Sequence, residues 1–297
     1  MGILFVLIFV VLSGVYTVAT KLYQKRVKTT AISYTIYLFC TSIASCLLYF
    51  LVAGCKAAPN PMMLRYSMIA ALIVFLNLIL MLLCMEYTNL AVMTVAQNAG
   101  YLVLPTLYGV LFLQERLSWF AILGLVFVVS ALLVSFVGDY RKNKETAKSS
   151  LRGYLACIAL FFSSGAFNII HKAFTLSGAG DTVIYLTWQN IFMFPFVFLL
   201  FLFVRLRAKK PFAALIEGIR FRFYGLPMIG SVFGCLGTIA SLRAMELLPI
   251  ALYSPIYSSL YMVCVTATSR FIFKEKLSGF NYASVALAVA AVILSVL

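Results

Sequence analysis

The side chains best suited to chemistry in this chain are uncharged. Gln97, Asn98 and Tyr101 cluster in one apolar run, and Tyr253, Tyr257 and Tyr261 recur four residues apart in another. Residues four apart share a helical face, so the second set forms a tyrosine stripe. Amides and phenols together offer hydrogen bonds and π-surfaces, which suit the holding of an amphipathic organic solute. The structural alternative is an interfacial tyrosine belt with amides bonding between helices. The mid-run depth of the tyrosines speaks against a belt.

The remaining candidates are polar groups in or beside apolar runs. Asn168 and His171 share one run, and His171 is the single histidine, so no histidine-based metal cluster can form. His171 either titrates near neutral pH or is a hydrogen-bonded structural residue, the reading we favour. Lys21 and Lys172 either bind a substrate carboxylate or snorkel to headgroups. Trp188, Gln189 and Asn190 are adjacent, so they point in different directions and at most two can share a cavity. Asn77 is isolated and suits a bond to a neighbouring helix. Glu86 and Glu246 end two runs as gating candidates, although Arg243 is placed to pair locally with Glu246. Glu115 and Glu275 precede Ser118 and Ser278, which read as helix N-caps, so these acids are expected to be structural.

Composition dictates what must position these groups. Of 297 residues, 64% are hydrophobic and 10% charged, with a mean hydropathy of +1.06. A soluble domain is far less apolar, and disorder needs the opposite balance. Ten apolar runs occur near 2–20, 31–53, 64–85, 90–113, 119–137, 153–174, 182–204, 224–245, 250–273 and 280–297. Each can cross a bilayer as a helix. They are continuously apolar, which excludes the alternating strands of a barrel. The expected fold is an all-α polytopic membrane protein, its first run retained as a span rather than removed as a signal peptide. The seven cysteines include no CxxC pair and read as small buried hydrophobes. A net charge of +15 sits in short loops, which suits anionic lipid headgroups, not nucleic acid.

The two halves repeat. At an offset of 160, Met85-Glu86 falls on Met245-Glu246, and Glu115-Arg116-Leu117-Ser118 on Glu275-Lys276-Leu277-Ser278. At an offset of 151, Ser13-Gly14 falls on Ser164-Gly165 and Lys21 on Lys172. Thr17 and Thr20 are then the partners of Asn168 and His171. Residues 1–137 and 153–297 form five-helix repeats, joined by a basic linker loop, 138–152. Five is odd, so the second copy enters from the opposite side, giving ten transmembrane helices as two inverted repeats. That is the plan of secondary transporters, with the site near the midplane. Loops after odd-numbered runs hold 18 Lys and Arg, the others 5. The positive-inside rule then puts both termini outside.

Three features are duplicated in order. The fourth run of each half leads into Gln114-Glu115-Arg116-Leu117-Ser118 or Lys274-Glu275-Lys276-Leu277-Ser278. A small-residue-rich last run follows. The first run of each half carries Ser-Gly and then Lys21 or Lys172. In these the chain resembles the drug/metabolite transporter superfamily, in its ten-span form with two EamA-like halves, over nearly its whole length. The resemblance implies export or exchange of small organic solutes such as amino acids, nucleobases, sugars or drugs. It also implies a bacterial inner or plasma membrane location, and cytoplasmic termini, the reverse of the charge count. No acid lies inside the first or sixth run, so the membrane-embedded glutamate of four-span multidrug exporters has no counterpart.

The expected function is a secondary transporter of a small organic metabolite working by alternating access. Alternatives are a lipid-linked-substrate or sugar carrier of the same fold, and a non-catalytic membrane scaffold or sensor. An enzyme is not expected, since the acids are scattered and no HExxH or GxSxG motif occurs. No cofactor is expected, and no GxxxxGK[ST] loop for ATP is present. Expected partners are the solute and membrane lipids. Gly230-x-x-x-Gly234 and the alanines 283, 286 and 290 allow close helix approach, within the bundle or in a homodimer. Pro105, Pro195, Pro227 and Pro255 fall within runs and free backbone carbonyls.

Overall fold

The computed structural model describes residues 1–26, 31–55, 58–87, 90–142, 151–208, 225–272, 274 and 279–296, and among them all regular structure is helical. Each apolar run becomes one helix: α1 Gly2–Arg26, α2 Ala31–Val52, α3 Pro61–Tyr87, α4 Leu90–Phe112, α5 Trp119–Lys142, α6 Leu151–Ser177, α7 Thr182–Ala208, α8 Gly225–Leu247, α9 Ile250–Phe271 and α10 Gly279–Val296. Among the described residues, seven of these (α1, α2, α3, α6, α7, α8 and α9) are long and apolar enough to cross a membrane. α5 and α10 carry the shorter apolar stretches Trp119–Val134 and Tyr282–Leu294. Exposed Leu4, Leu7, Ile8, Val11 and Val15 line one side of α1, a surface that suits acyl chains.

Helices outrun the apolar stretches where basic residues follow. α5 takes in Gly138–Lys142 of the expected linker, and α7 continues past Arg205. Cations are favoured at the negative end of a helix, and their stems can reach outward.

The helices pack mainly across the two halves. α1 packs on α8 as α6 does on α3, α4 on α6 as α9 on α1, and α3 on α7 as α8 on α2. α2 also meets α7, α4 meets α9, and α5 meets α10. Each of these contacts keeps its identity when the halves are exchanged.

Small residues decide the closest approaches. A Cβ at Gly230 would lie 2.9 Å from Ala19, and one at Gly234 would lie 3.4 Å from the Tyr16 ring, so this glycine pair seats α8 on α1. In α10 the alanines lie on more than one face, and the 283, 286 and 290 face is not the one packed within the bundle. Ala283 and Ala286 are exposed, whereas Ser284, Ala288 and Ala291 are buried. α10 turns this second face, two steps round, toward α5, where Ala121, Val128 and Ala131 are buried.

Candidate functional site

The site grows from a broken hydrogen bond in α4. Pro105 has no N–H for the carbonyl four residues earlier, which belongs to Tyr101. Asn168 on α6 donates its Nδ2 to that carbonyl at 3.3 Å. One turn earlier on α6, the Ser164 hydroxyl donates to Asn77 Oδ1 on α3 at 3.0 Å. The Tyr101 hydroxyl lies within hydrogen-bonding reach of both Gln97 and Ser164. Asn77, Gln97, Tyr101, Ser164 and Asn168 thus form one network on three helices. Asn98 is half-buried on α4, turned away from the Gln97–Tyr101 face.

The tyrosine stripe of α9 faces this network. Tyr253, Tyr257 and Tyr261 stack in file with ring centroids 5.9 and 5.6 Å apart. Phe9 of α1 stacks on Tyr257 at 4.7 Å. Tyr253 shares a 2.6 Å hydrogen bond with Ser241, and Tyr261 one of 2.9 Å with Thr17. Tyr101 and Tyr261 both lie within electrostatic reach of Tyr257, and α9 packs on α4, which brings the amide face and the tyrosine face near each other. Tyr16 and Thr20 extend the polar surface to Tyr37, through bonds of 3.1 and 3.0 Å to its hydroxyl.

Sequence reasoning missed Ser164, Tyr16, Tyr37 and Ser241. Their only signal is a hydroxyl inside an apolar run. Many such hydroxyls merely bond their own helix, as Thr106 does to the Leu102 carbonyl at 2.7 Å, so residue type alone does not separate the two uses.

The other candidates lie elsewhere. His171 is buried on α6 between Phe167 and Tyr185, with ring centroids at 4.2 and 5.6 Å. Trp188 is half-buried on α7 and packs against Phe192 at 5.9 Å. Lys172 is only 4% exposed, so it does not snorkel. Its ammonium donates to the carbonyls of Met245 at 2.6 Å and Leu248 at 2.9 Å, at the end of α8. Cations suit that end of a helix. Glu246 pairs with Arg243 at 2.8 Å and accepts a 2.9 Å bond from Thr182. The side chains of Lys21, Glu86 and Glu275 lie outside the described residues.

Glu115 works across the halves. Its carboxylate accepts the N–H groups of Ile250 at 3.0 Å and Ala251 at 2.8 Å. α9 begins after Pro249, which offers no side-chain cap, so the acid from the α4–α5 turn takes that role. Ser118 caps α5, accepting from Ala121 N–H at 3.1 Å. Among the described residues no group of three or more His, Cys, Asp or Glu side chains is placed to hold a metal ion.

No curated protein matches the sequence. A solved structure described only as "Crystal structure of protein" aligns with 99% of this chain and 95% of its own, at 15% identity and a TM-score of 0.71. That likeness is one of fold. The family model of the EamA-like transporters matches residues 1–137. Residues 1–137 are thus similar to the EamA-like transporter family, which implies a multi-pass membrane transporter of small solutes, consistent with the drug/metabolite transporter superfamily.

Proposed function

We propose that the protein is a secondary transporter, an exporter or exchanger, of a small organic metabolite such as an amino acid, nucleobase or drug-like solute. It works by alternating access between two inverted halves in a bacterial plasma membrane. The observation that carries this reading is the approach of the Gln97–Tyr101–Ser164–Asn77 network to the Tyr257–Tyr261–Thr17 face, inside helices whose outer sides are apolar. Polar groups at such depth are costly and mark solute pathways by default.

Inversion is supported by which helix ends meet. Gly2, at the start of α1, lies against Leu248 just past the end of α8. Asn60, before α3, donates to the Ala179 carbonyl after α6 at 2.5 Å. Glu115, after α4, caps the start of α9. So α1 and α3 begin on the face where α6 and α8 end, which suits halves lying upside down to one another.

The test is counterflow in proteoliposomes preloaded with amino acids or nucleobases, with and without a proton gradient. Exchange above protein-free vesicles is expected, with about a tenfold loss on Tyr257→Ala, the worth of one to two kcal/mol of solute contact. No flux of any solute would overturn the transporter reading. Normal flux by the variant would move the site elsewhere.

A further inference from the structure

Three buried polar atoms on α6 and α7 have no hydrogen-bond partner among the described residues: His171 Nε2, the Tyr185 hydroxyl and Gln189 Oε1. Their residues are 2%, 0% and 7% exposed. They are also neighbours. The imidazole and the Tyr185 ring meet edge to face, centroids 5.6 Å apart. Gln189 lies one turn beyond Tyr185 on the same face of α7, near the imidazole but without a hydrogen bond closed between the two. Buried polar groups are nearly always paired, and three unpaired ones together call for a common partner.

Aromatic rings wall the cluster. Phe174 stacks on Tyr185 at 3.9 Å, and Phe167 lies 4.2 Å from the imidazole. Ser67 on α3 donates to the Tyr185 carbonyl at 3.1 Å, fixing α7 in register. Lys172, the next residue after His171, spends its ammonium on the carbonyls of Met245 and Leu248. Among the described residues, no charged side chain acts on His171 or Tyr185.

We propose that His171, Tyr185 and Gln189 form a subsite for an uncharged group bearing a donor and an acceptor side by side, such as a carboxamide. Gln189 Oε1 only accepts, so the ligand must donate to it, whereas the phenol and imidazole can each donate or accept. An ionic group would be buried there without a counter-charge, which is costly. The subsite rests on the transporter reading for its purpose, which is to recognise the polar end of the solute. It enlarges the site beyond α4 and α9.

His171 is the single histidine, so full-length protein labelled with 13C,15N-histidine yields one imidazole signal. In lipid nanodiscs that signal is followed while acetamide, acetate or methylammonium is added. Acetamide is expected to shift it saturably and the two ions to leave it in place. Gln189→Leu and Tyr185→Phe should each weaken the acetamide response about tenfold, the value of one hydrogen bond. A single narrow imidazole line and an unchanged unfolding midpoint in the ligand-free variants show that the pocket stays folded. No acetamide response, as when an ordered water already satisfies the three atoms, overturns the proposal. So does a response unchanged in both variants, or one given equally by acetate. Protein that binds acetamide but moves no solute would sink the transporter reading alone. Protein that transports without this response would sink the subsite alone.

Discussion

The crossing of α4 with α6 and the crossing of α9 with α1 occupy equivalent places in the two halves. At the first, a Cβ on Gly165 would run into Leu104; at the second, a Cβ on Gly14 would lie 2.7 Å from Cys264 Sγ. Gly14 and Gly165 are repeat partners, as are Leu104 and Cys264, so one contact is kept twice. The bonds beside it have diverged. Asn168 and Tyr101 correspond to Thr17 and Tyr261, and both pairs touch. Asn168 bonds a backbone carbonyl, whereas Thr17 bonds a phenol. The cause is a single residue. Pro105 strips Tyr101 of its helical partner, while Val265 stands at the equivalent place in α9 and keeps its N–H. The aligned positions keep how the helices meet, and point differences set the chemistry at the meeting.

The largest test of this comparison is steric. A Cβ at Gly100 would overlap the Phe161 carbonyl, which is backbone and cannot swing away. Gly100→Val should cost about 3 kcal/mol or more, read as loss of monodisperse protein and a lower unfolding midpoint in detergent. Gly14→Ala meets only the rotatable Cys264 thiol and should cost well under half as much. Equal damage would erase the asymmetry.

Next comes the carbonyl freed by proline. Asn168→Ala should destabilise by about 1–2 kcal/mol, since the Tyr101 carbonyl is left unpaired. Repeating it in a Pro105→Ala background, where α4 regains its own bond, should shrink that cost by about half. Additive effects would mean that Asn168 serves some other purpose.

The smallest effect is expected at the opposite crossing. Thr17→Val and Tyr261→Phe should each cost about 0.6 kcal/mol and be non-additive, because they share one bond between side chains. A cost at Thr17 matching that at Asn168 would show that the hydroxyl pair carries as much as the amide.

Several features of the fold were legible before any coordinates. Apolar run length marked all ten helices, and Ser118 was readable as a cap because its hydroxyl serves its own helix. The tyrosine spacing gave one face, since four residues make nearly a full turn. The partners of Glu115 and Lys172 were not legible. Glu115 caps a helix 135 residues away, and Lys172 holds carbonyls 73 and 76 residues on. No local pattern encodes such partners. The face of α10 that packs within the bundle was not legible for a related reason: alanines lie on more than one of its faces, and only α5 selects between them.

The sequence alone determined that this chain is a set of apolar helices in two similar halves, with amides and phenols at depth. It could do so because hydropathy and periodicity are local properties. Which of those polar groups face one another, which carbonyl an asparagine fills, and which buried atoms are left unpaired were decided only by the packing of one half on the other. Those outcomes depend on helix rotation and approach, and both are set by side chains distant in the chain.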